Sequence, residues 1–292
     1  MPRQTKRKTN RGGRYSQRSC AVGKRRTRGT CYSPPNLKKL RALWNKRHPE
    51  SNIKTEEPSE IWQHLKARLG SACKTEACWL RQNFAKEGLP PEVTMYTFAP
   101  AQPKSWTKKP STWLSSDEIT AVMRQAEHAY PEFRFVGPSP IDFAHRLDGG
   151  KCVWEDLCKL NLRDSHAAGV EKIGFIFNTD PHYKGGEHWV SMYLRIPEGE
   201  INYMDSYGMP PPDEISTLIG SLSNQLKNIN VEPKHNIVRF QHQRGESECG
   251  MYCLHFILSQ LQGVKTIQDF LSKRVPDNDM RDLRDVYFNK KV

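Results

Sequence analysis

The sequence has no apolar run approaching the roughly 18 residues of a membrane-spanning helix, so no transmembrane span is expected. Its basic N-terminus is not followed by an apolar core segment, so no secretory leader is read. Without a leader, the eight cysteines are expected as thiols rather than as a disulfide framework. No Cys-x-x-Cys occurs. The close pairs are Cys73/Cys78, Cys152/Cys158 and Cys249/Cys253, and His255 near the last of them finds no second pair at zinc spacing. Neither a metal nor a cofactor is expected. Apolar residues are few, at 36% with a mean hydropathy of −0.75. Seven Trp, eleven Phe and ten Tyr nevertheless supply material for a core.

Acidic residues are missing altogether from positions 1–30, which hold eleven Lys and Arg. The net charge of the chain is +13, so the remainder is nearly neutral. A segment of this composition cannot bury a core and is expected to be a disordered basic tail. It suits non-specific attraction to nucleic acid through phosphate neutralisation, and its single aromatic, Tyr15, offers little for base-specific readout.

What is present is organised by period. Leu37, Leu40, Leu43 and Trp44, then Ile61, Trp62, Leu65 and Leu69, fall at helical spacing, and a third short helix is expected over 76–84. Residues 31–98 therefore read as a small helical unit. Residues 99–112, rich in Pro and Lys, read as a linker into a domain over 110–292. Ser115 and Glu118 are spaced as a capping box before Ile119, Val122, Met123 and Ala126. Strands are expected at 172–178, 188–196, 201–205 and 235–240. Helices are expected at 154–160, 213–228, 251–261, 267–271 and 280–288. Helices, then a sheet, then helices indicate an α+β fold.

In "QRGESECGMYCL" (243–254), Cys249 sits where a polar loop meets an apolar helix. The first turn of a helix presents unpaired N–H groups and the positive end of its dipole, which favour a thiolate there. A thiolate nucleophile needs an imidazole, and the imidazole needs a group to orient it. His188 opens one expected strand and Asp205 ends the next. An antiparallel hairpin would bring them to the same end. Gln243, six residues before Cys249, could offer its amide to an oxyanion alongside the Cys249 N–H. The rival imidazoles are His182, His242 and His255. His242 is too close along the loop, and His255 lies on another face of the helix. Cys253, one turn below Cys249, reads as core.

"HW" at 188–189, "DS-x-G" seventeen residues after the His, and "Q-x5-C-G" opening an apolar helix together resemble the SUMO-specific and adenovirus-type cysteine peptidases. "TWLSSDEI" is similar to the helix opening of the same family. "FRFVGPSPIDF" and the helical unit before it narrow the resemblance to thiol peptidases of large DNA viruses, of the African swine fever virus polyprotein peptidase type. The resemblance implies a papain-like core with His188 as base, Asp205 as its orienter, Gln243 in the oxyanion hole and Cys249 as nucleophile. It also implies cleavage of protein substrates after Gly-Gly, with Trp189 narrowing the slot, and processing of structural precursors in the virion. Two other readings stand beside it. One is an isopeptidase removing SUMO or ubiquitin-like modifiers. The other is a nucleic-acid-binding virion protein with a decayed peptidase domain. The "ESE" of 246–248 departs from the family's short Asp-containing lead into the cysteine.

Overall fold

The computed structural model describes residues 20–24, 29–86 and 88–289. The chain divides into two compact units, Met1–Ala101 with Asp285–Val292, and Gln102–Arg284. Among the described residues no helix is long and apolar enough to cross a membrane.

The first unit holds α1 (Pro34–Arg47), α2 (Pro58–Leu69), α3 (Asn83–Lys86) and α4 (Pro91–Tyr96), with a 3-10 turn at Glu76–Arg81. Ser33 caps α1 through its hydroxyl and Pro34 occupies the first turn, where its missing N–H costs nothing. The predicted stripes pack together, Leu37, Leu40 and Trp44 against Ile61, Leu65, Leu69, Trp79 and Phe84.

Two expectations change here. The disordered tail does not include Cys20–Val22. Cys20 bridges to Phe98, the Ala21 N–H donates to the Thr97 carbonyl (3.1 Å), and Ala21 and Val22 are buried. The two apolar residues and a disulfide anchor this stretch, which averaging over a basic segment conceals. Residues 23, 24, 29 and 30 are described as well, with Thr30 buried, whereas residues 1–19 and 25–28 of that expectation lie outside the described residues. Second, six cysteines are not thiols. Disulfides join Cys20 to Cys31, Cys73 to Cys78 and Cys152 to Cys158, and only Cys249 and Cys253 are free. Compartment says nothing about which side chains the fold sets face to face.

The second unit begins with a 3-10 turn, Lys104–Thr107, inside the expected linker; its Trp106 is buried. Next come α5 (Ser116–Ala129), β1 (Phe133–Pro140), α6 (Glu155–Cys158) and α7 (Leu162–Ala167). The chain continues through β2 (Lys172–Asn178), β3 (Trp189–Arg195), β4 (Glu200–Met204), α8 (Asp213–Lys227) and β5 (Lys234–Val238). It closes with α9 (Cys249–Leu261), α10 (Ile267–Ser272) and α11 (Asp277–Tyr287), whose residues from Asp285 on are counted with the first unit. The Ser115–Glu118 capping box is present.

The five strands lie in sequence order, with β1 and β5 parallel to their neighbours and β2, β3 and β4 antiparallel. Phe175 pairs with Met192 and Met192 with Tyr203, and this face packs with Ile215, Leu218 and Leu222 of α8. On the opposite face α9 approaches closely at Gly174, where an added Cβ would stand 3.0 Å from Ile257. A sheet covered on both faces accounts for the almost unbroken burial of β2 and β3. β1 was not legible as a strand, because Gly137-Pro138 interrupts it. It is an edge strand with a register shift between Val136 and Ser139, the setting in which proline is tolerated. Gly137, at φ 142°, has the Ile176 carbonyl 2.7 Å from where a Cβ would be.

Candidate active site

The register of the hairpin sets the site. Ser191 pairs with Met204, so the residues just outside the two strands, His188 before β3 and Asp205 after β4, emerge at one end of the sheet. His188 Nε2 meets Asp205 Oδ1 at 2.9 Å, and the same oxygen accepts the Tyr207 backbone N–H at 2.8 Å. Nδ1 is then the ring nitrogen left to face Cys249, whose sulfur interacts with the imidazole electrostatically. Cys249 is the first residue of α9, buried and reduced. Burial by itself pulls the His188 imidazole down. The hydrogen bond to Asp205, and the interaction with Asp205 and the Cys249 sulfur as negative groups, outweigh it and hold the imidazole at about 9. The arrangement therefore favours an imidazolium facing a sulfur, oriented by a carboxylate.

Gln243 is fully buried. Its Oε1 accepts the Ser206 hydroxyl (2.7 Å), and its Nε2 donates to the Gly245 carbonyl (2.7 Å) and to the Tyr207 hydroxyl (3.2 Å). Both amide hydrogens are thus engaged within the loop rather than directed into open space. Trp189 is pinned by its indole N–H to the Leu114 carbonyl (2.9 Å). The "C-G" pair has a steric reason, since a Cβ on Gly250 would lie 3.0 Å from Leu114 Cβ and 3.4 Å from Trp189 Cδ1. A groove of about 660 Å³ begins at Trp189 and Leu114, and Trp113, Leu147, Val153 and Trp154 contribute apolar walls.

Two of the competing histidines are hydrogen-bonded elsewhere, and the third is kept neutral by burial. His242 donates from Nε2 to the Phe270 carbonyl (3.0 Å) and accepts the Val275 N–H at Nδ1 (3.0 Å), and burial pushes its protonation down. His255 is lowered to about 4 by burial, then by Lys265 and His242. His182 pairs with Asp142 (2.6 Å). Burial likewise raises the Cys253 thiol well above its ordinary range. Among the described residues no group of three or more His, Cys, Asp or Glu is placed to hold a metal ion.

Four further residues were not singled out from sequence. Ser206 and Tyr207 fill the middle of the quoted "DS-x-G", and Trp113, 45% exposed, lies within "TWLSSDEI". Arg284 carried no local signal. Its Nε binds Glu248 Oε2 at 2.8 Å and its guanidinium lies 4.6 Å over the Trp106 ring. That contact accounts for the acidic residue directly before Cys249. The rest of the lead-in is fastened by Asp277, which accepts the backbone N–H groups of Arg244 and Gly245.

Residues 161–291 match the Ulp1 protease family, C-terminal catalytic domain. A thiol protease of Acanthamoeba polyphaga mimivirus is 29% identical over 247 residues, covering 81% of this chain and 76% of that protein. A SUMO-1 cysteine protease of African swine fever virus is 32% identical over 115 residues, 38% of this chain and 41% of that protein. The crystal structure of an African swine fever virus protease shares the fold, with a TM-score of 0.63 at 19% identity over 94% of this chain and 97% of that one. The α+β architecture, the thiol at the head of α9 and these relatives lead to one conclusion: the chain is a cysteine protease, and its residues 161–291 are similar to the Ulp1-type catalytic domain.

Proposed function

We propose that Cys249 is the nucleophile, His188 its general base and acid, Asp205 the orienter of His188, and Gln243 an oxyanion donor, in an endopeptidase that cuts after Gly-Gly. The observation that carries this reading is the His188 imidazole, hydrogen-bonded to Asp205 and drawn electrostatically to Cys249 at the start of α9. Cys249 Sγ attacks the scissile carbonyl carbon, and the C=O electron pair moves to oxygen. A Gln243 Nε2 hydrogen and the Cys249 N–H stabilise that oxyanion. His188 passes its proton to the leaving amine as the C–N bond breaks. Water then attacks the thioester, His188 takes the water proton, and the carboxylic acid and thiol are released.

The Gly-Gly preference is supported by Trp189, pinned to Leu114 beside His188, where a bulky indole leaves room for a chain without side chains. The substrates we propose are structural precursors of a virus particle, with the enzyme packaged in the virion; the viral relatives support this. Incubating the purified chain with virion proteins and peptides carrying Gly-Gly-Xaa, with Cys249→Ala as control, tests it. Mass spectrometry should find new C-termini ending in Gly-Gly only with the active chain. Cut sites without glycine before the bond would overturn the specificity. A second reading, removal of a SUMO-like modifier from lysine, is favoured by the similarity to the SUMO-1 cysteine protease of African swine fever virus. Faster release from a SUMO–lysine isopeptide than from the best linear peptide would decide for it. Gln243→Ala should lower turnover by about 10²–10³, the effect of losing one oxyanion donor.

A further inference from the structure

We propose that Ser206 is a positioning residue for the Gln243 amide, a role that rests on Gln243 being the oxyanion donor. Ser206 is 2% exposed and holds Gln243 twice. Its carbonyl accepts the Gln243 backbone N–H (2.8 Å), which sets the start of the side chain. Its hydroxyl donates to Oε1 (2.7 Å), which sets the end. The Gly245 carbonyl can only accept, so the end of the amide that faces it at 2.7 Å is nitrogen. With Oε1 held by Ser206 and one Nε2 hydrogen held by Gly245, the amide plane is determined. The second Nε2 hydrogen rests on the Tyr207 hydroxyl at 3.2 Å, the longest of the three contacts. That hydrogen is the one available for exchange to a developing oxyanion.

Deleting the Ser206 hydroxyl leaves Oε1 of a fully buried amide without a donor. A buried unsatisfied acceptor is costly, so the side chain turns to recover a partner and its N–H is no longer held in readiness. Ser206 follows Asp205 in the same tight turn, closed by the Gly208 N–H to the Asp205 carbonyl (2.9 Å). One turn thus carries the carboxylate that orients His188 and the hydroxyl that orients Gln243. The dipeptide Asp205-Ser206 serves both halves of the reaction, proton transfer and oxyanion binding.

The test is a double-mutant cycle of Ser206→Ala and Gln243→Ala, read as kcat and KM on a cleavable peptide and as the rate of Cys249 alkylation by iodoacetamide. Ser206→Ala should lower kcat roughly tenfold, part of the 10²–10³ that a whole oxyanion donor is worth. KM should stay within about twofold and alkylation should be unchanged, because neither depends on the amide. On the Gln243→Ala background the same substitution should cost nothing further. Thermal midpoints accompany each variant, and if Ser206→Ala folds poorly, Ser206→Cys keeps the volume with a weaker donor and should show the same loss of kcat. Wild-type kcat in Ser206→Ala would overturn the proposal. So would an equal loss on both backgrounds, which marks a merely structural role. A Gln243→Ala variant with undiminished kcat would instead remove the reading of Gln243 itself, whatever Ser206 does.

Discussion

Glu248, the residue directly before Cys249, is buried against Arg284, with Nε 2.8 Å from Oε2 and both side chains almost wholly removed from solvent. A buried ion pair adds little over an apolar pair of the same shape, but breaking one side of it strands a charge. The pair therefore acts as a constraint on the start of α9. Arg284→Met should destabilise the protein by about 3–5 kcal/mol, read by chemical denaturation. Arg284→Met with Glu248→Leu should recover much of that. A single variant as stable as wild type would show that the pair is not a constraint.

The protonation of His188 predicts an alkaline limit. Its pKa is raised to about 9 in the folded protein from an ordinary value of 6.5. The imidazolium and its contacts with Asp205 and Cys249 are thus fully present below pH 6.5 and lost as pH rises through about 9. The kcat/KM profile should fall on its alkaline side near pH 9, and the stability that the imidazolium contributes should fade over the same interval. Asp205→Asn removes the carboxylate charge and should move the alkaline limb toward neutrality. An alkaline limb that stays in place in that variant would separate it from His188.

Gly250 should not tolerate a side chain. A Cβ there would press on Leu114 and Trp189, whose indole is itself tied to the Leu114 carbonyl. Overpacking of this kind costs about 1–3 kcal/mol. Gly250→Ala should raise KM by displacing Trp189, with the melting temperature lowered to match. A variant with unchanged KM and stability would mean that α9 shifts to accept the methyl group.

The basic segment predicts polyanion binding separable from proteolysis. Because Cys20–Val22 are packed into the first unit, the truncation to make removes residues 1–19 only. It should greatly weaken DNA binding while leaving peptide cleavage intact. In the full chain the affinity should fall with salt, at a log–log slope of roughly −0.9 for each phosphate neutralised. Equal binding by both proteins would assign the contact to the folded units.

What sequence by itself determined was local. The Ser115–Glu118 capping box, the apolar stripes of α1, α2, α5 and α8, and the β-rich runs that became β3 and β4 are each written within a dozen residues, and each formed as read. The head of α9 was legible at Cys249 because polarity changes abruptly there. Tertiary structure decided what depends on distant partners. β1 is a strand only because β2 lies beside it, despite Gly137-Pro138. Three disulfides follow from which cysteines the fold brings face to face. Arg284 finds Glu248 across 36 residues, and Ser206 finds Gln243 across 37. Periodicity and capping are short-range physics that composition reveals, whereas a buried hydrogen bond or ion pair is specified only once both partners have lost their water, and the packing of the sheet decides which partners those are.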